Sequence, residues 1–150
     1  MKTGIFVGSF DPFTNGHDAI VRRALPLFDK IIIGVGINEH KKYMYSSQVR
    51  MKNIETLYKD EPKIDVKSYN DLTIDFARRE NAEFIIKGVR SIKDFEYERE
   101  QADINRKIGD IDTIMFYAEP QYESISSSMV RELIHFGKNA DEFIPHKQKK

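Results

Sequence analysis

The stretch Gly8-Ser9-Phe10-Asp11-Pro12-Phe13-Thr14-Asn15-Gly16-His17 decides the fold of this chain. It follows a short apolar run at residues 5–7 that is typical of a strand. It precedes a helical pattern over 17–28, in which Ile20, Ala24 and Phe28 recur on one face. A glycine-rich turn therefore joins the end of a strand to the start of a helix. Free backbone N–H groups and the positive end of the helix dipole meet at such a junction, so the sequence predicts a phosphate site here.

The composition describes an ordinary globular chain. Its 150 residues predict a single domain over 1–150. With 24 basic and 24 acidic side chains the net charge is +0, which gives no support for binding to nucleic acid or to a membrane surface. Cysteine is absent from the sequence, which excludes disulfides, thiolate metal sites and cysteine nucleophiles. Since neither a signal-peptide pattern nor a long apolar run is found, a cytoplasmic location is expected.

Apolar runs alternate with helical patterns along the whole chain. The predicted strands lie at 5–7, 31–36, 63–67, 84–86 and 113–117. The predicted helices are 17–28, a helix after Ser46, a short helix after Asp71 as its N-cap, and a long helix at about 93–107. A last helix is predicted from the serine cluster at 126–128 through residue 136, and Gly137 is expected to end it. Pro26 is expected to kink or end the first helix. This alternation predicts an α/β fold, a doubly wound five-stranded parallel sheet with helices on both faces.

Ligands of such sheets bind at the carboxyl ends of the strands. Polar residues follow four of the five predicted strands, and they are of the types that bind phosphate: Ser9 and His17; His40, Lys41 and Lys42; Lys87, Gly88 and Arg90; Tyr122 and the serine cluster. All of these loops reach the same edge of the sheet. Their convergence predicts one phosphate-binding site there.

Four ordered motifs resemble those of the phosphopantetheine adenylyltransferase family, in the nucleotidyltransferase superfamily with its T/H-x-G-H element. They are residues 8–17, the loop 41–44, the segment Lys87-Gly88-Val89-Arg90 followed by 94–98, and Ile125-Ser126-Ser127-Ser128-Met129-Val130-Arg131. The match runs in register from about Thr3 to Ile144. The resemblance implies a Rossmann-like nucleotidyltransferase fold and a homo-hexamer. It also implies adenylyl transfer from ATP to 4'-phosphopantetheine, which gives dephospho-coenzyme A and pyrophosphate in coenzyme A biosynthesis.

The same resemblance implies roles for individual residues. The expected catalytic residues are His17, Lys41 and Lys87. The residues expected to bind the acceptor are Ser9, Lys41, Thr73 and Lys87. Mg²⁺ is expected to arrive on the ATP phosphates, without metal-binding side chains. The residues expected to bind ATP are Ser9, Phe10, His17, Gly88, Val89, Arg90, Glu98, Tyr122, Glu123, Ser124, Ile125, Ser126, Ser127 and Ser128.

Departures from the family pattern leave some points open. Lys87 stands where many members have arginine, so the charge is kept and the two-pronged guanidinium is lost. Thr73 replaces a larger apolar residue of some members. Two other functions fit parts of the pattern. One is a related transferase acting on nicotinamide mononucleotide or a small alcohol phosphate, and the other is a nucleotide-sensing module without catalysis.

Overall fold

The computed structural model describes residues 1–146 of the chain. Its strands are β1 (Thr3–Gly8), β2 (Lys30–Gly36), β3 (Ile64–Tyr69), β4 (Phe84–Val89) and β5 (Asp112–Tyr117). Its α-helices are α1 (Asn15–Ala24), α2 (Ser47–Leu57), α3 (Thr73–Arg79), α4 (Ile92–Gly109) and α5 (Ser127–His135). The strand and helix order predicted from the sequence is confirmed.

The five strands form one parallel sheet in the order β3-β2-β1-β4-β5. The direction of winding reverses between β1 and β4, the point at which open α/β sheets bind their ligands. Ile5 at the centre of β1 pairs with Ile32 of β2 and Ile85 of β4. The carboxyl ends of the strands therefore lie together at one edge, and the predicted doubly wound Rossmann-like architecture is confirmed.

Each face of the sheet buries its own apolar cluster. Successive strand residues point to opposite faces, so Phe6 belongs to the cluster that packs against α1 and α2. Its neighbour Ile5 belongs to the cluster that packs against α3. Central strands buried on both faces explain the nearly continuous apolar runs seen in the sequence.

The ends of three helices differ from, or sharpen, the sequence predictions. Helix α1 ends at Ala24, and Pro26 lies in the following 3₁₀ helix, Leu25–Leu27, so the predicted range 17–28 is too long at this end. Asp71 does not cap α3, because its carboxylate binds Arg79, 2.8 Å away, and Leu72 occupies the N-cap without a side-chain hydrogen bond. Beyond α5, Gly137 takes a φ of 75°, a conformation that favours glycine and stops the helix as predicted.

Within residues 1–146, no helix has both the length and the apolar character needed to cross a membrane. The single domain over 1–150 stays a prediction, and its last four residues lie outside the described part of the chain.

Candidate active site

A cavity of about 440 Å³ opens at the carboxyl edge of the sheet, where β1 and β4 end. Its volume lies in the range of small-molecule sites. Most of the residues predicted for the site line this cavity: Ser9, Phe10, His17, Lys41, Lys87, Gly88, Val89, Arg90, Glu98, Tyr122, Ile125, Ser126, Ser127 and Ser128.

Three of the predicted residues do not line the cavity. Glu123 and Ser124 lie between the cavity residues Tyr122 and Ile125, outside its wall. Thr73 begins α3, and its hydroxyl lies 3.4 Å from that of Tyr69. Their predicted roles stay predictions.

His17 is fixed by the start of its own helix. Thr14 is the N-cap of α1: its hydroxyl accepts the His17 N–H, and its own N–H donates to Nδ1 of the His17 ring at 2.9 Å. This reciprocal arrangement is a capping box with histidine in the place of the usual Glu or Gln. Because Nδ1 accepts a hydrogen bond, the proton of the neutral ring is on Nε2. The ring therefore has one N–H donor left for a ligand.

The surroundings of His17 keep its ring neutral. The rings of Phe10 and Phe13 lie 5.0 and 5.2 Å from it, centroid to centroid. Burial, followed by the charges of Arg90 and Lys87, lowers the pKa of His17 from 6.5 to about 4. At neutral pH the side chain is therefore an uncharged hydrogen-bond donor.

Four cationic side chains line the same cavity: Lys41, Lys87, Arg90 and Arg131. Lys41 Nζ lies 3.5 Å from Ser9 Oγ, which brings the loop after β2 to the turn after β1. Lys87 Nζ lies 3.2 Å from a carboxylate oxygen of Glu98, and that oxygen is buried without a well-aligned hydrogen bond. The two lysines can neutralise an anionic ligand in the cavity. Before such a ligand binds, Lys87 pairs with the Glu98 carboxylate.

Arg90, the third of these cations, is held at the start of α4. Asp94 lies 3.3 Å from its guanidinium and accepts its backbone N–H at 3.2 Å. Asp94 lines the cavity as well, although no role is predicted for it from the sequence. Its place in the quoted segment 94–98 is a signal that could have identified it.

The start of α5 also lines the cavity, through Ser126, Ser127 and Ser128. Ser126 is its N-cap and accepts the Met129 N–H at 3.1 Å. The Ser127 hydroxyl donates to the Pro12 carbonyl at 2.8 Å. This contact ties α5 to the turn after β1, and the remaining N–H groups of the first helical turn are available to an anion.

Arg131 is a cavity residue to which the sequence analysis gave no role. Its guanidinium donates to the Asp11 carbonyl at 2.8 Å and to the Ser128 hydroxyl at 3.1 Å. The residue closes the quoted motif 125–131, so the motif carried a signal for it. The contact with Asp11 spans 120 positions of sequence and could not be read from local spacing.

Gly88 allows α1 to pack closely on β4. A Cβ at this position would lie 2.9 Å from Cγ1 of Ile20, which is too close for two carbon atoms. The helix that carries His17 therefore lies directly on the strand that carries Lys87.

Within the described part of the chain, no group of three or more His, Cys, Asp or Glu side chains is placed to hold a metal ion. The two carboxylates of the cavity, Asp94 and Glu98, each pair with a cation. This donor set fits a divalent cation that enters bound to phosphates better than one held by the protein alone.

Comparison with known proteins places these features in a family. The sequence model of the cytidylyltransferase-like family matches residues 5–133. A phosphopantetheine adenylyltransferase of Phocaeicola vulgatus is 50% identical over 149 residues, covering 99% of each chain. The enzyme of the same name from Bacteroides thetaiotaomicron is 51% identical over 145 residues, covering 97% of this chain and 96% of that one.

A solved structure resembles the fold at low sequence identity. It is the bifunctional NMN adenylyltransferase/ADP ribose pyrophosphatase of Francisella tularensis, with a TM-score of 0.75 and 16% identity. The match covers 98% of this chain and 46% of that longer chain. At this identity the likeness concerns the fold alone.

Proposed function

Because this chain belongs to the phosphopantetheine adenylyltransferase family, we propose that it transfers the adenylyl group of ATP to 4'-phosphopantetheine. The products are dephospho-coenzyme A and pyrophosphate, in the biosynthesis of coenzyme A. The cytoplasmic location expected from the sequence stays a prediction.

One observation supports this activity most strongly. One cavity brings together a neutral N–H donor on His17, the cations Lys41, Lys87 and Arg90, and the start of α5. Two phosphate-bearing substrates need such a set of donors and positive charges, and the transfer needs little else.

The proposed reaction is an in-line displacement. The terminal phosphate of the acceptor attacks the α-phosphorus of ATP, the new P–O bond forms, and pyrophosphate leaves with the electrons of the broken bond. An ionised phosphate oxygen is already a nucleophile at neutral pH, so no side chain has to remove a proton. His17 donates from Nε2 to an α-phosphate oxygen as charge grows there, and its lowered pKa keeps the ring uncharged throughout.

Binding of the two substrates divides between the two sides of the cavity. Ser9, Lys41 and Lys87 bind the acceptor phosphate, and Thr73 lies toward the pantetheine arm. The ATP side consists of Ser9, which both substrates share, together with Phe10, His17, Gly88, Val89, Arg90, Glu98 and the segment from Tyr122 through Ser128. Mg²⁺ enters as part of the MgATP substrate, and its charge adds to that of the lysines.

The family resemblance implies a homo-hexamer, and helix α4 supports self-association. All of its 18 residues remain at least partly accessible. Tyr97, Ile104 and Ile108 form an apolar stripe on one face of the helix, and all three are exposed. Such a stripe is typical of a surface that a second copy covers.

The activity is tested by pyrophosphate release from MgATP with and without 4'-phosphopantetheine, with nicotinamide mononucleotide as the control acceptor. We expect release that depends on phosphopantetheine, with dephospho-coenzyme A formed in equal amount. Release with the control acceptor alone would assign the chain to a related transferase. Tight ATP binding without release for either acceptor would make it a nucleotide-binding module.

A further inference from the structure

Arg50 is a buried arginine behind the cavity, in the first turn of α2. Its exposure is 2%. Nη1 donates to the carbonyls of Ser9 at 2.7 Å and Gly36 at 3.1 Å, and Nε donates to that of Tyr45 at 3.2 Å. The Tyr43 ring lies 3.9 Å from the guanidinium carbon. One side chain thus connects the ends of β1 and β2 with the loop at residues 37–46.

The charge of Arg50 has no carboxylate partner in the described part of the chain. Within residues 1–146 no carboxylate oxygen forms an ion pair with it at 4.0 Å or less. Carbonyl oxygens and an aromatic face satisfy its N–H groups, but they carry no compensating negative charge. A buried cation of this kind is costly for stability alone, and an apolar side chain of similar volume would fill the space more cheaply. This points to a role beyond packing.

The groups that Arg50 holds belong to one half of the site. The Ser9 carbonyl belongs to the residue whose hydroxyl faces Lys41 Nζ at 3.5 Å. Tyr43 and Tyr45 lie just beyond Lys41 in the loop at residues 37–46. Asp11 holds the same loop from the other side, because its buried carboxylate accepts the N–H groups of Met44 at 2.8 Å and Tyr45 at 2.9 Å. His17, by contrast, is held by Thr14 at the start of α1.

We propose that Arg50 is a positioning residue for the acceptor phosphate, which it serves by fixing Ser9 and the Lys41 loop at one separation. Its positive charge, directly behind the Ser9 backbone, adds to the attraction for that phosphate. Of the residues assigned to ATP, Ser9 alone accepts a hydrogen bond from Arg50, so ATP binding depends on Arg50 less than acceptor binding does. This inference rests on the proposed function for the identity of the acceptor.

The test compares Arg50→Lys and Arg50→Met with the unchanged protein, and uses Arg79→Lys as the control. Arg79 is exposed and pairs with Asp71, and neither residue lines the cavity. Calorimetric titrations give the Kd of 4'-phosphopantetheine and of a non-hydrolysable ATP analogue, and thermal melting reports folding. We expect Arg50→Met to raise the Kd of phosphopantetheine about tenfold or more, while that of the ATP analogue changes less than about threefold. Arg50→Lys keeps the charge and is expected to fall between Met and the unchanged protein.

A crystal structure of Arg50→Met is the second measurement. We expect Lys41 Nζ and Ser9 Oγ to move out of contact while the hydrogen bond from Thr14 N–H to His17 stays. Equal losses for the two ligands, an unchanged phosphopantetheine affinity, or an intact contact between Lys41 and Ser9 would each overturn the proposal. If Arg50→Met fails to fold, Tyr43→Leu removes the ring from the guanidinium and is judged by the same criteria.

Failure of the proposed function gives a different pattern. The unchanged protein would then bind no 4'-phosphopantetheine at all. The distance between Lys41 and Ser9 in the crystal of the variant would still decide whether Arg50 positions them.

Discussion

Lowering the pH from 7.5 to 4.5 is expected to destabilise this protein through a single histidine. The pKa of His17 is about 4 in the folded chain, against 6.5 for an ordinary histidine, because the ring is desolvated and lies near Arg90 and Lys87. Above pH 6.5 the ring is neutral in both the folded and the unfolded chain. Between 6.5 and 4 only the unfolded chain takes up the proton, so the free energy of unfolding falls as the pH falls through that interval.

The size of this effect follows from the two pKa values. Each pKa unit corresponds to about 1.4 kcal/mol, so the interval from 6.5 to about 4 gives roughly 3 kcal/mol. The ring of His17 borders an open cavity and is only half-buried. Water in the cavity reduces the penalty, and we expect about 2 kcal/mol between pH 7.5 and 4.5.

The assay is urea unfolding at half-unit steps of pH for the unchanged protein and for His17→Gln. Glutamine is a usual capping-box residue at this position, so it can keep the acceptor for the Thr14 N–H while it removes the titrating group. Carboxylates titrate alike in both proteins, and the difference between the two curves isolates His17. His135→Gln, which changes an exposed histidine of α5, is the control. Parallel curves for the unchanged protein and His17→Gln would refute the reasoning.

Four further outcomes are expected. His17→Ala should lower kcat by about 10²–10³ and leave ATP affinity nearly unchanged; an equal loss in both would make His17 a ground-state ligand. Lys41→Ala should weaken phosphopantetheine binding more than ATP binding in separate titrations, and an unaltered phosphopantetheine affinity would contradict its role. Glu98→Gln should tighten pyrophosphate binding severalfold, measured by calorimetry, because Lys87 loses its carboxylate partner. An unchanged pyrophosphate affinity would show that Glu98 does not restrain Lys87. Ile104→Asp should reduce the assembly mass measured by light scattering, and an unchanged mass would exclude α4 as an interface.

Periodic and local features of the sequence predicted the fold well. The apolar runs at 31–36 and 84–86 were correctly predicted as strands. A strand buried on both faces of a sheet requires a nearly continuous apolar sequence, and these runs have one. The one wrong cap, Asp71, failed because a competing cation eight positions away binds its carboxylate. Helix α1 begins two residues before His17. The sequence did not indicate this start, because the capping box there uses a histidine in place of the usual Glu or Gln.

Arg50 and Arg131 were missed by the sequence prediction for the same physical reason. Arg50 reaches Ser9 across 41 positions, and Arg131 reaches Asp11 across 120. Such contacts depend on how loops meet at the sheet edge, and no helical or strand period encodes them. Residues at the carboxyl end of a strand were easier to predict, because the topology alone brings Ser9, just after β1, and Lys87, near the end of β4, to the same edge.

The close packing of Ile20 on Gly88 has a consequence for how this enzyme can adapt. The separation between the helix of His17 and the strand of Lys87 is set by the volume of one aliphatic side chain, at a position where glycine already gives the least possible spacing. Exchanging Ile20 for valine or leucine would change that separation. Such a change would alter the distance between the His17 N–H donor and the Lys87 cation without replacing any polar side chain of the cavity.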